Sequence, residues 1–417
     1  MKPKIFIAIH YMEIGGAERA LLGFLNALDT NRVDIYLFVY WHTGEFMKLI
    51  PSKIHLLDEI PAYSMVEKPI KEVMKTGFFK VGIARLCGKF LTYCYKLLHP
   101  SNNETLTDSF IGRCVSHVLP DIPGEYDLAI SFLTPHNYVM DHVKARKKIA
   151  WIHTDYRNMH VNRTLDLKTW GGYDYIASIS ADVTDSFLSV FPELRDKIIL
   201  VKNILSPRFV REQADMQDVS KEMPKEDGVI RILSVGRYSP PKNFDNVPSI
   251  CTRVNAILSS QNVPTMKRVK WYIIGYGPDE PLIRQMIKEE RVEDNVILLG
   301  KKANPYPYMK ECDIYVQPSR YEGNCVAVRE AQILCKPVVI TNYSTAPSQI
   351  KAGEDGVIVP LDNQKCAEGI VKLILDHDLQ ERIINVVSSI DYGNEDDVNV
   401  IYELLGIENS RNKNELS

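Results

Sequence analysis

The stretch that decides the fold is Gln317-Pro318-Ser319-Arg320-Tyr321-Glu322-Gly323-Asn324-Cys325-Val326-Ala327-Val328-Arg329-Glu330-Ala331-Gln332-Ile333-Leu334-Cys335-Lys336-Pro337-Val338-Val339. Ahead of it, Asp313–Val316 is a short apolar run ending at Pro318, the pattern of a buried parallel strand and its exit. Behind it, the spacing predicts a helix from about Cys325 to Leu334 and a second strand at Pro337–Ile340. Asn324 is placed to cap the helix, which would leave the amides of Cys325, Val326 and Ala327 pointing into a cleft above the sheet. Such amides, with the positive end of the helix dipole, make an anion site. Glu322 on the preceding loop and Glu330 on the second helical turn bracket that site as acceptors for hydroxyls. An amide nest for phosphate between two such acceptors suits a nucleoside diphosphate sugar. The plainer reading makes Glu322 a strand-end residue and Glu330 an ordinary helix-face charge.

Toward the N-terminus, Ile230–Val235 opens an α/β series and Gly236-Arg237-Tyr238-Ser239-Pro240-Pro241-Lys242-Asn243 follows at once. Two cations on a glycine–proline loop at a strand exit suit a diphosphate, against the alternative of two solvated charges. Trp271–Pro278 is a strand with a glycine turn, where Gly275 and Gly277 let backbone come close to a ligand. Tyr306 is a candidate for stacking on a nucleobase. Asp376-His377-Asp378 could pass for a metal-binding pair, but it closes one helix and starts another, so capping is expected.

The N-terminal half repeats the design. Lys4–His10 is a buried-strand pattern, and Gly15-Gly16 then opens a helix. Strand, glycine turn and helix form a phosphate-binding layout, although Gly-x-Gly-x-x-Gly is absent. Further strands are expected at Val33–Tyr40, Asp127–Leu133, Lys148–His153, Tyr175–Ser180 and Ile198–Val201. His153 falls at a strand's C-terminal end, where open α/β sheets place ligand groups. Asp155 is either a second polar contact or a helix cap. Residues 66–99 interleave lysines with Phe78, Phe79, Phe90 and Tyr93, which fits either a surface helix burying one face or an amphipathic segment on an anionic leaflet.

At 417 residues, two domains are expected. A net charge of −3 argues against a general nucleic-acid binder. The eight cysteines form no Cys-x-x-Cys or His/Cys metal spacing and read as reduced residues of a cytoplasmic protein. No apolar run of about 18 residues is present to cross a bilayer. The opening Ile5–Ile9 is too short for a signal sequence and is read as the first strand.

Glu-Gly-x6-Glu-Ala followed by Lys-Pro-Val-Val resembles the C-terminal signature of glycosyltransferase family 4, retaining enzymes of GT-B fold, among them bacterial cell-surface polysaccharide glycosyltransferases. Val-Gly-Arg-x4-Lys-Asn at 235–243 resembles a second motif of that family, and Trp151-Ile152-His153 a third. The resemblance implies two doubly wound, Rossmann-like α/β domains facing across a cleft. It assigns clamping of the diphosphate to Arg237 and Lys242, the ribose hydroxyls to Glu330, and donor-sugar contacts to Glu322 and His153. Donor-binding backbone is then expected at Gly15, Gly16, Gly236, Gly275, Gly277, Gly323, Asn324, Cys325 and Val326. The family usually has an aromatic residue and glycine where this chain has Asn324 and Cys325, and a helix-ending glycine where it has Cys335.

The expected domains are an acceptor-binding domain at 1–205, a linker at 206–228, a nucleotide-sugar domain at 229–390, and a helix and tail at 391–417 packing back on the first domain. The expected activity is metal-independent, cofactor-free, retaining hexosyl transfer. The donor is a nucleotide sugar, UDP by default, and the acceptor a glycan or lipid-linked hydroxyl. Its setting is polysaccharide assembly in the cytoplasm or at the inner face of the membrane, with 66–99 as the segment that would touch it. A nucleotide-sugar epimerase and a non-catalytic glycan- or partner-binding subunit remain the alternatives.

Overall fold

The computed structural model describes residues 2–98, 105–154, 156, 159, 161–261, 268–322 and 325–407, with backbone only at 105–108. They divide into two compact units: the first is Met1–Leu205 with Asn394–Ser417, and the second is Ser206–Gly393.

The first unit is built on β1 (Lys4–Ile9), β2 (Asp34–Val39), β3 (His55–Leu56), β4 (Glu125–Ser131), β5 (Lys144–Ile152), β6 (Tyr175–Ser178) and β7 (Ile198–Leu200). They pair in parallel in the order β3-β2-β1-β4-β5-β6-β7. Ile5 to Ile9 are all buried, as a strand covered on both faces requires. Aromatic rings fill one side of the sheet; Phe6 and Tyr126 lie 5.0 Å apart, and Phe38 meets Tyr63 edge-on at 5.2 Å. The strand order reverses between β1 and β4, and the C-terminal ends of those strands flank the switch point where doubly wound sheets hold ligands.

The second unit contains β8 (Val229–Val235), β9 (Arg268–Ile274), β10 (Val296–Gly300), β11 (Ile314–Gln317), β12 (Val338–Thr341) and β13 (Val357–Val359). Their parallel order is β10-β9-β8-β11-β12-β13, so the reversal falls between β8 and β11. Trp271 is fully buried in its core and donates through Nε1 to Ser234 Oγ at 2.9 Å, which satisfies the indole's polar edge.

The stretch 206–228, read as an exposed linker, belongs to the second unit. Pro207–Ala214 is a helix capped by Ser206, with Phe209, Val210 and Ala214 buried. Phe209 packs edge-on against Tyr306 at 6.1 Å, and Glu222 accepts a hydrogen bond from Tyr308 at 2.9 Å. Frequent charged residues hid a narrow apolar face spaced for a helix.

The C-terminal Asn399–Leu404 helix lies against the first unit. The Asp29 amide donates to the Tyr402 hydroxyl at 2.7 Å, and the Arg32 guanidinium sits 4.0 Å from the Tyr402 ring centre. Asp376 caps its helix by accepting from the Leu379 amide at 2.9 Å. The expected tail beyond Ile407 and the Asp155 reading lie outside the described residues.

Candidate active site

The loops leaving β8 and β11 meet at the switch point of the second sheet. Lys242 Nζ lies 2.5 Å from Glu322 Oε1, with both side chains largely buried. Glu322 Oε1 also accepts from Ser319 Oγ at 2.6 Å. Ser319 accepts from Gln317 Nε2 at 2.9 Å, and Gln317 Oε1 from Tyr315 at 2.8 Å. Gln317 and Ser319 are fully buried, so this chain of hydrogen bonds anchors Glu322 in the core.

Three contacts hold the Lys242 loop. Asn243, left-handed at φ 61°, donates through its amide to the Pro318 carbonyl at 2.8 Å. Arg320 grips Asp245 with both guanidinium nitrogens, at 2.9 and 2.6 Å, and also bonds the Pro240 carbonyl. The stem of Lys242 lies against Gly236, where an added Cβ would come within 3.2 Å of it. Gly275 is tighter: a Cβ there would sit 1.9 Å from the Gly236 carbonyl oxygen. A Cβ on Gly277 would meet the Tyr238 carbonyl at 2.2 Å, and its φ of 155° disfavours other residues. The three glycines therefore let two strand-end loops close on each other. Arg237 is exposed and forms no ion pair among the described residues.

The helix behind this loop runs Val326–Ile333, one residue shorter at each end than the spacing predicted, and its cap position is Cys325. Gly323 and Asn324 lie outside the described residues, so the expected Asn324 cap does too. The Cys325 amide is not free: it donates to Gln349 Oε1 at 3.3 Å, while Gln349 Nε2 donates to the Cys325 carbonyl at 2.6 Å. Tyr343 orients Gln349 through a 2.8 Å hydrogen bond. Val326 and Ala327 are the first helical positions, whose amides have no partner within the helix itself. Burial pushes the Cys325 thiol up to about 12, so it stays protonated at neutral pH. At the other end, Cys335 takes the left-handed conformation, φ 56°, that glycine would occupy more easily.

Glu330 is 1% exposed, which rules out a solvated helix-face charge. It accepts a 2.7 Å hydrogen bond from Tyr306. Tyr306 is itself buried, so it positions Glu330 and does not offer a face for a base to stack on. No cluster of three or more His, Cys, Asp or Glu suited to a metal occurs among the described residues. A surface groove of about 710 Å³ between the Val247–Ser260 and Asn363–Leu375 helices touches none of these groups.

The first unit's strand ends carry different chemistry. His153 follows β5, with its ring 4.6 Å from Phe132. Burial lowers its pKa to about 4, against a smaller opposing effect from a backbone hydrogen bond with Phe132. Its Nε2 is buried with no hydrogen-bond partner among the described residues. His136, just after β4, is lowered further, to about 3, by burial and by His153 and His10. It contacts Ser131 Oγ through Nδ1 at 2.7 Å. His10, at the end of β1, contacts Glu67 at 2.7 Å. Gly16 is open, whereas a Cβ on Gly15 would collide with the Glu18 carboxylate at 2.1 Å. Glu18 is buried beside the turn, with its pKa raised by that burial. The glycine turn thus brings a carboxylate to the place read as a diphosphate approach. His10, His136 and Glu18 were missed in the sequence because no motif marks them; for His10 and His136 the available signal was their position beyond β1 and β4, while Glu18 lies in the first turn of the Gly16–Ala27 helix.

The family model described as glycosyl transferases group 1 matches residues 215–387. Those residues are similar to a glycosyl transferases group 1 domain. They include the Lys242 loop, Glu322 and Glu330. Over 148 residues, 35% of this chain and 38% of the relative, the sequence is 29% identical to an N-acetylgalactosamine-N,N'-diacetylbacillosaminyl-diphospho-undecaprenol 4-alpha-N-acetylgalactosaminyltransferase of Campylobacter jejuni. Over 185 residues, 42% of this chain and 44% of the relative, it is 28% identical to the putative colanic acid biosynthesis glycosyltransferase WcaL of Salmonella typhimurium. The matches therefore span less than half the length of these relatives. The structure is similar to that of Anabaena HepE in complex with UDP and glucose, with a TM-score of 0.62 at 15% identity over 97% of this chain and 99% of that one. The matched region and the unit preceding it thus share the two-domain α/β fold of GT-B glycosyltransferases.

Proposed function

We propose that this protein is a retaining, family 4 glycosyltransferase that moves a sugar from a nucleotide diphosphate donor, UDP-linked by default, to a hydroxyl of a glycan or lipid-linked acceptor in cell-surface polysaccharide synthesis. The observation that carries the reading is the pairing of Lys242 with a buried, network-held Glu322 at the switch point of the second sheet. The relatives named for undecaprenyl-diphosphate and colanic acid chemistry support the acceptor class. The HepE complex supports UDP.

In this scheme the second unit binds the donor. Arg237, Lys242 and the Val326 and Ala327 amides receive the charge that builds on the diphosphate as its bond to the anomeric carbon breaks. Glu330, held by Tyr306, accepts the ribose hydroxyls, while Glu322 and His153 contact the donor sugar. The acceptor oxygen bonds to the same face of the anomeric carbon, its proton passes to the departing diphosphate, and configuration is retained. With cationic side chains meeting the diphosphate, we assign no divalent ion to the reaction.

The test incubates purified protein with UDP-, GDP- and ADP-sugars and a polyprenyl diphosphate-linked saccharide, with and without a chelator, and reads the product's anomeric configuration by NMR. Retained configuration and chelator-resistant turnover support the scheme. An inverted product contradicts it, and turnover without acceptor favours the epimerase.

A further inference from the structure

The Phe79–Leu98 helix of the first unit has two apolar faces, and only one is covered. On the inner face, Gly88 lies so close to the adjoining Thr105–Ser116 helix that a Cβ there would sit 2.6 Å from the Ile111 Cα. Val81, Ala84 and Thr92 are buried on that same side. On the outer face, Phe79, Ile83, Leu86, Phe90, Tyr93 and Leu97 recur every three or four residues. They form one stripe along a helix about 30 Å long. Each of the six is 49–65% exposed. A stripe of aromatic and aliphatic side chains that large marks a binding surface rather than scattered exposure.

The charge beside the stripe identifies the occupant. Lys80, Lys89 and Lys96 flank it, and the helix contains no Asp or Glu. The helix is also shorter in apolar content than a span needs: no described helix is long and apolar enough to cross a membrane. A second copy of this chain docking by two-fold symmetry would bring like-charged lysine rows together with no carboxylate on the helix to pair them. Aromatic and leucine side chains sinking below a row of lysines match a layer of anionic headgroups over acyl chains.

We propose that the outer face of the Phe79–Leu98 helix docks the protein on an anionic bilayer surface, with the apolar stripe in the headgroup–acyl boundary and the lysines on lipid phosphates. Docking needs neither donor nor acceptor, so its outcome is separable from that of the sugar-transfer reading.

The experiment is co-sedimentation of the full chain with vesicles of phosphatidylglycerol and phosphatidylethanolamine in equal parts, and with phosphatidylcholine alone. Wild type should pellet with the anionic vesicles and be released by high salt, a test needing no variant. Lys80→Glu with Lys89→Glu should weaken binding roughly 100-fold, and Phe90→Asp with Leu97→Asp at least about tenfold. These side chains are exposed, so thermal unfolding should stay unchanged in both variants. Phe90→Trp should give a blue-shifted emission on the anionic vesicles alone. Wild type remaining in solution with anionic vesicles at low salt overturns the proposal, as does equal binding to phosphatidylcholine that ignores the lysine reversals. A dimer that Phe90→Asp converts to monomer, without vesicle binding, also overturns it and assigns the face to a second copy.

Discussion

The two sheets reverse strand order at equivalent places, β1/β4 and β8/β11, yet the groups at the two switch regions are opposite in character. The second unit places an ion pair there, Lys242 with Glu322, tied to the core by Ser319 and Gln317. The first unit gathers imidazoles there, with His136 and His153 both kept neutral by burial. Topology decides where a ligand can sit, while loop residues decide what kind of ligand it is. The second unit's end is ionic, whereas the first unit's end sets two neutral imidazoles near the Glu18 carboxylate and the His10–Glu67 contact.

The largest expected effect lies on the ionic side. Arg237→Ala or Lys242→Ala should lower turnover by roughly 100-fold or more, the scale of losing one charge-stabilising donor; steady-state rates at saturating donor would check it. Next, Glu330→Ala should weaken binding of a free nucleoside diphosphate by about tenfold or more, as loss of hydrogen bonds to a charged group implies. Unchanged affinity by calorimetry would remove Glu330 from the ribose site.

The neutral side predicts a pH effect. The folded-state pKa values of His153 and His136, about 4 and about 3, lie below the ordinary 6.5, so the native state binds fewer protons than the unfolded chain between them. Their contribution is present above pH 6.5 and is lost as pH falls toward 4. Acidifying from neutral to mildly acidic buffer should cost on the order of 1–2 kcal/mol, and His153→Gln should flatten that slope in thermal unfolding. The smallest effect is local: Cys335→Gly should stabilise the chain by about 0.5–1 kcal/mol by relieving the left-handed backbone. A raised urea midpoint at unchanged slope would check it.

Strands and glycine-bearing exits were legible because buried parallel strands read as continuous apolar runs and close loop crossings require glycine, as at Gly275 and Gly277. Arg237, Lys242, Glu322 and Glu330 stood out because their motifs are local in sequence. Residues acting across long sequence distances were not legible. Gln349 closes the start of the Val326 helix from the later, short Ala346–Gln349 helix, and Tyr306 reaches Glu330 from a helix 24 positions earlier. The carboxylate filling the Gly15 turn also escaped notice, because Glu18 reads as an ordinary first-turn helix residue.

Calorimetric titration of UDP into wild type, Lys242→Ala and His153→Ala tests the central claim most directly, because UDP carries the diphosphate without the sugar. UDP should bind wild type and His153→Ala alike and lose at least about tenfold in affinity for Lys242→Ala. Equal affinity for all three, or a loss confined to His153→Ala, would contradict a diphosphate site on the ionic switch region.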